Sequence, residues 1–151
     1  MKKLIATFLL LTLTLGLRAE TGEWLTDFSA AKKKAKEENK PMLMLFTGSD
    51  WCPWCIKWEK EAFSKAEFKD YAKKNLVLLF VDFPDKKPLP KAQQRANDAL
   101  QQKYKIEGYP TVVMLDSEGK KLGSFGYEEG GAKTLLGQIA STRDAKVAKK
   151  Q

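Results

Sequence analysis

The chain has 151 residues, 43% of them hydrophobic and 30% charged, which suits one domain with its own core and not a disordered or fibrous chain. It holds no histidine and only two cysteines, which excludes Ser-His-Asp and Cys-His catalysis, histidine metal sites and a four-thiolate zinc site within one chain. The formal charge is +8, but the lysines fall in short scattered runs such as Lys32-Lys33-Lys34 and Lys73-Lys74, as on solvated helix faces. A nucleic-acid surface would gather them in a stripe with stacking aromatics.

In chain order, Met1-Lys2-Lys3 leads into an uncharged apolar run, Leu4 to Leu17, followed by Arg18-Ala19-Glu20. That is the layout of a secretory signal peptide cut near Ala19, and the run is short for a membrane span. A retained anchor is the alternative. Residues 1–19 carry three basic side chains and no acid, so the mature chain holds +5. The expected product is one domain over residues 20–151, with 146–151 as a flexible tail.

Thr26 or Asp27 is positioned to cap a lysine-rich helix from Ala30 to Asn39, with Phe28, Ala31 and Ala35 on its inner face. Met42 to Phe46 is a continuous apolar run between Pro41 and Gly48, as expected for a central strand covered on both faces. A helix follows from about Pro53 to Ala62, and Ser64-Lys65-Ala66-Glu67 reads as a capping box opening another to Lys74. Leu76 to Asp82 is a second strand. Pro84 to Pro90 is a loop, and Lys91 to Tyr104 is a helix with Ala92, Ala96, Ala99 and Leu100 inward. Thr111–Leu115 and Lys121–Tyr127 form a hairpin about Ser117-Glu118-Gly119-Lys120. Gly130-Gly131 precedes a last helix that buries Leu135, Leu136, Ile139 and Ala140. This order implies an α/β fold with one mixed sheet and helices on both faces.

The chemistry concentrates in Trp51-Cys52-Pro53-Trp54-Cys55, which carries both cysteines at the start of a helix. Unpaired N–H groups and the helix dipole favour a thiolate at Cys52, the attacking species in thiol–disulfide exchange. Cys55, one turn on, is placed to resolve the resulting mixed disulfide. A purely structural bridge here would close too short a loop to restrain the unfolded chain much. Soft-metal binding, as of copper, finds no third ligand, and haem attachment fails because Ile56 follows Cys55. No metal or other cofactor is expected. Trp51 and Trp54 flank Cys52 and are candidates for an apolar docking rim, with Pro53 between them, whereas Trp58 is expected in the core.

Trp51-Cys52-Pro53-Trp54-Cys55 after an apolar strand resembles the active site of the thioredoxin superfamily. Tyr104-Lys105-Ile106-Glu107-Gly108-Tyr109-Pro110-Thr111 resembles that family's cis-proline loop and the strand after it. The wording Phe46-Thr47-Gly48-Ser49-Asp50-Trp51-Cys52 is most similar to exported bacterial thioredoxin-like proteins, related to the thiol-reducing domains of disulfide interchange proteins. The resemblance implies a thioredoxin-like fold with a central sheet of four or five strands. It implies a redox-active Cys52–Cys55 pair in an exported, periplasmic or secreted thiol–disulfide oxidoreductase that reduces or exchanges disulfides in envelope proteins. Pro110 would be cis, and the backbone of Tyr109 would pair with an extended substrate segment. A membrane thiol-transfer protein would be the electron partner of a monomer. A binding or chaperone-like module that keeps the fold without the chemistry is the first alternative, and a copper-handling protein that uses the two thiolates is the second. Two departures stand out. Phe46 matches the position where thioredoxins carry a buried aspartate, and Leu78 matches its partner lysine, leaving Asp50 and Glu59 as candidates to handle the proton of Cys55.

Overall fold

A computed structural model of the chain describes residues 23–147, with side chains as far as residue 144. The expected leader and residues 148–151 lie outside the described residues. Five strands form one mixed sheet in the order β1-β3-β2-β4-β5. They are β1 Trp24–Leu25, β2 Met42–Thr47, β3 Val77–Asp82, β4 Thr111–Leu115 and β5 Lys121–Gly126. β1 and β2 run parallel to β3, β4 runs antiparallel to β2, and β5 antiparallel to β4. The helices are α1 Phe28–Glu38, α2 Pro53–Trp58, α3 Ala66–Asn75, α4 Lys91–Tyr104 and α5 Gly131–Val147.

β2 lies in the middle and every one of its residues is buried, which is why its apolar run is unbroken. Its side chains alternate between two cores. Leu43 and Leu45 join Trp58, Phe63, Phe68, Leu135 and Ile139 on one face. Met42, Met44 and Phe46 join Ala31, Ala35 and Leu100 on the other. The expected mixed sheet with helices on both faces is therefore present.

The local signals succeed where a side chain has one satisfactory partner. Asp27 Oδ1 accepts the Ala30 N–H at 2.7 Å and caps α1, and Asn39 closes it in the left-handed region at φ 51°. They fail where geometry upstream shifts the phase. The helix expected from Pro53 to Ala62 changes at Glu59 into a π-helical turn, Glu59–Phe63, closed by Ser64 N–H donating to Glu59 O at 2.9 Å. In a regular α-helix residues five apart point about 140° apart. The wider turn brings Trp58 and Phe63 to the same side, where their rings meet edge-to-face at 5.0 Å and both are 1% exposed. Truncation of a buried aromatic of this size costs about 3–5 kcal/mol, so the turn anchors α2 firmly.

The π turn also undoes the expected capping box. Ser64 is still helical, at φ −79° and ψ −10°, and its hydroxyl donates back to Lys60 O, so Lys65 becomes the cap of α3 without a side-chain bond. In α4 the alanines at 92, 96 and 99 are exposed, and Asn97 is buried beside Leu100. Alanine is indifferent to its face, whereas Asn97 Nδ2 donates to the carbonyl of Asp82 at the end of β3 at 2.8 Å. In α5 Ala132 takes the buried place expected for Ala140.

Candidate functional site

β2 delivers the chain to a turn at Gly48–Asp50, and α2 begins at Pro53, whose missing N–H costs nothing in a first turn. Cys52 is therefore the N-cap of α2, with extended φ −85° and ψ 110°, and its Sγ accepts the Cys55 N–H at 3.3 Å. The two sulfurs form a disulfide with the Cα atoms 5.2 Å apart. Both cysteines are 4% exposed, so burial does not distinguish them. Position does. Cys52 Sγ lies 3.8 Å from the Tyr109 carbonyl oxygen, beside the rim, while Cys55 Sγ receives the Gly48 N–H at 3.5 Å and lines a half-open cavity. The Tyr109–Pro110 bond is cis, as the resemblance implied, and Pro110 is buried against the same cavity.

Around the sulfurs Trp51 is 46% exposed, Trp54 55% and Ile56 49%, while Trp58 is buried. Pro53 is exposed between the two rim tryptophans. Ile56 was missed in the sequence as a rim residue. Its signal was its place directly after Cys55 in the first turns of α2. Trp54 leans on Tyr127 at 5.3 Å, and the Lys57 ammonium sits 5.3 Å from the first ring and 5.5 Å from the second. Interaction with the Tyr127 side chain, foremost, raises the Lys57 pKa above the ordinary lysine value. On the other side the Trp51 indole N–H donates to Phe83 O at 2.7 Å. Tyr109 stacks on Phe83 at 5.1 Å and takes the edge of Trp51 at 6.0 Å. A Cβ on Gly48 would stand 2.5 Å from the Trp51 ring, so only glycine admits this close approach.

Beneath Cys55 is a mainly apolar cavity of about 510 Å³, lined in part by Leu45, Thr47, Phe80, Glu59 and Pro110. This corrects the place of the missing carboxylate. Phe46 points to the opposite core, 6.4 Å from Tyr104, and Leu45 is the β2 residue that faces the cavity. Counting back from Cys52 assumes a turn of fixed length, whereas alternation along the strand decides which side chain lies under the sulfur. On β3 the cavity is lined by Phe80, the register partner of Leu45, and not by Leu78. Either way the strands offer no ionisable group there.

The two carboxylates of interest separate clearly. Asp50 accepts the N–H groups of Asp85, Lys86 and Lys87 at 2.9, 2.8 and 3.2 Å, and these bonds, that of Asp85 foremost, hold its carboxyl below the ordinary range. It is a fixed anion and a poor proton acceptor for Cys55. Glu59 stands one helical turn after Cys55 and lines the same cavity. Much of the residue is open to solvent, but burial of the carboxyl in the cavity mouth pushes its pKa up, against a weaker downward pull from Lys69. Among the described residues no three His, Cys, Asp or Glu side chains gather to hold a metal ion.

Residues 28–132 match the family model described as a thioredoxin-like domain. The chain is 39% identical over 114 residues to a disulfide bond reductase, DsbH, of Chlamydia pneumoniae, covering 76% of this chain and 69% of that protein. It is 34% identical over 110 residues to a thioredoxin-related protein, DsbJ, of the same organism, where the match covers 71% of this chain and 32% of the relative. A solved structure of a DsbH oxidoreductase superposes with a TM-score of 0.77 at 36% identity, over 89% of this chain and 92% of that one.

Proposed function

Since the chain belongs to the thioredoxin-like family, we propose that it is a thiol–disulfide oxidoreductase whose working pair is Cys52 and Cys55. The observation that carries this reading is Cys52 at the N-cap of α2, its sulfur accepting a helix N–H beside the cis-proline loop. In the reduced protein the Cys52 thiolate attacks one sulfur of a substrate disulfide. A mixed disulfide forms and one substrate thiolate leaves. Cys55 loses its proton and attacks the Cys52 sulfur, which forms the Cys52–Cys55 disulfide and frees the second substrate thiol. The substrate gains two electrons and two protons, and an external dithiol must restore the protein.

Glu59 is the group best placed to accept the proton from Cys55, through water in the cavity they share. Trp51, Pro53, Trp54 and Ile56 supply an apolar rim, and the backbone of Tyr109 offers strand-like pairing to an extended segment. The basic start and apolar run at residues 1–19 support export, with cleavage near Ala19 and work in the periplasm as a monomer. The electron donor is then a membrane thiol-transfer protein of the envelope.

Reduced protein mixed with insulin should generate insulin thiols and accelerate precipitation of the freed chain under dithiothreitol. Protein alkylated at both thiols beforehand should not. Equal rates with the alkylated protein would refute the reading.

A further inference from the structure

The loop Phe83-Pro84-Asp85-Lys86-Lys87-Pro88 runs beside the active-site turn. Between its two prolines only three residues carry a backbone N–H, and all three donate to Asp50. One carboxylate, two residues before Cys52, thus satisfies every donor at the tip of a neighbouring loop. The root of the loop is held as well. Phe83 N–H donates to Thr47 O at 2.8 Å, and Ser49 binds Asp82 through its N–H at 3.0 Å and its hydroxyl at 2.6 Å. What the loop then presents is Phe83, whose carbonyl fixes the Trp51 indole and whose ring stacks on Tyr109.

Resting on the proposed oxidoreductase activity, we infer that Asp50 is a positioning residue for polypeptide substrates: it clamps the 83–88 loop so that Phe83 holds Trp51 and Tyr109 as one docking ridge beside Cys52. It touches neither sulfur. Three hydrogen bonds to an ionised acceptor are stronger than neutral ones, and they fix a tip whose residues Asp85, Lys86 and Lys87 are exposed. Without them Phe83 keeps its bond to Thr47 but loses the lateral support that presses its ring against Tyr109. The ridge then has to be ordered by each substrate as it binds, which weakens docking and leaves the chemistry of Cys52 in place. The consequence is a preference for extended polypeptides over small disulfides that need no ridge.

The experiment compares wild type, Asp50→Asn and Asp50→Ala in their reaction with insulin and with a small aromatic disulfide, 5,5′-dithiobis(2-nitrobenzoate). KM for insulin should rise about tenfold in Asp50→Ala with kcat within about twofold, and less in Asp50→Asn, which retains one oxygen acceptor. The insulin-to-small-disulfide rate ratio should fall by the same factor. Amide hydrogen exchange at Asp85, Lys86 and Lys87 should accelerate while β2 and β3 stay protected, which separates loss of the clamp from loss of the fold. An unchanged ratio with accelerated exchange would overturn the inference, as would an equal fall of both rates. A wild-type protein inactive towards both disulfides would instead defeat the oxidoreductase reading itself.

Discussion

Cys52→Ser will reduce insulin no faster than dithiothreitol alone, whereas reduced Cys55→Ser, mixed with insulin and no added dithiol, will react once and stop. The two variants remove the same atom from sites 5.2 Å apart, yet the outcomes differ because the sulfurs stand in different places. Cys52 caps α2, next to Tyr109 and the exposed ring of Trp51, where an incoming disulfide can reach it. Cys55 is inside the helix and faces the cavity. With serine at 52 the remaining thiol lies one turn inside α2, away from Tyr109 and Trp51 and without the helix N-cap position. With serine at 55 the first exchange proceeds, but nothing inside the protein can attack the Cys52 sulfur. About one substrate per protein should accumulate as a mixed disulfide, seen by mass spectrometry after acid quench and cleaved by added thiol. Turnover of Cys52→Ser should drop to the uncatalysed rate, and reduced Cys55→Ser without added dithiol should stop after one exchange. A Cys55→Ser protein that released free substrate thiols beyond one equivalent without added dithiol would show that resolution comes from a second substrate thiol.

Glu59→Gln carries the next largest effect. The strands beneath Cys55 present Leu45 and Phe80, so the proton of Cys55 has no acceptor on the sheet. Positioned general bases contribute about 10²–10⁴-fold, and a base acting through water belongs near the lower end. The mixed-disulfide intermediate should therefore persist about 10²-fold longer in Glu59→Gln, measured in single-turnover reactions with a peptide disulfide. The pH dependence has a definite sign. Burial raises the Glu59 pKa above its ordinary 4.5, so in wild type resolution quickens as pH rises through the raised value and the carboxylate forms. The glutamine variant lacks that limb. Stability moves the other way: the folded protein favours the protonated acid, so the contribution of Glu59 is fully present below 4.5 and is lost as pH rises through the raised pKa. Urea unfolding of oxidised Glu59→Gln should lose that slope. A wild-type pH profile retained in Glu59→Gln would assign the proton to another acceptor.

What could be read from the sequence follows from what is local. The Cys52–Cys55 pair, the proline after Cys52 and the apolar run before it define strand, turn and helix within fifteen residues. The fully buried β2 needs no alternation to be recognised, because Pro41 and Gly48 bracket it. Features decided by distant contacts were hidden. The π turn after Trp58 exists because Trp58 and Phe63 both need the core, and nothing in Glu59-Lys60-Glu61-Ala62 announces it. Asn97 reads as a surface residue until the free carbonyl of Asp82 is seen. A count from Cys52 selects Phe46 and not Leu45 because it is blind to the length of the turn. Asp50 carries an ordinary acidic side chain in the sequence, and its role depends on three N–H groups 35 to 37 residues away.

The most direct test of the central claim is the rate of iodoacetamide alkylation of each thiol in the reduced protein, resolved by peptide mapping across pH. With Cys52 at the N-cap of α2 and Cys55 one turn inside, label should enter Cys52 first and at lower pH than it enters a free thiol. Cys55 should react later and only at higher pH. Equal labelling of both, or a Cys52 that titrates like a free thiol, would contradict the assignment of Cys52 as the activated nucleophile.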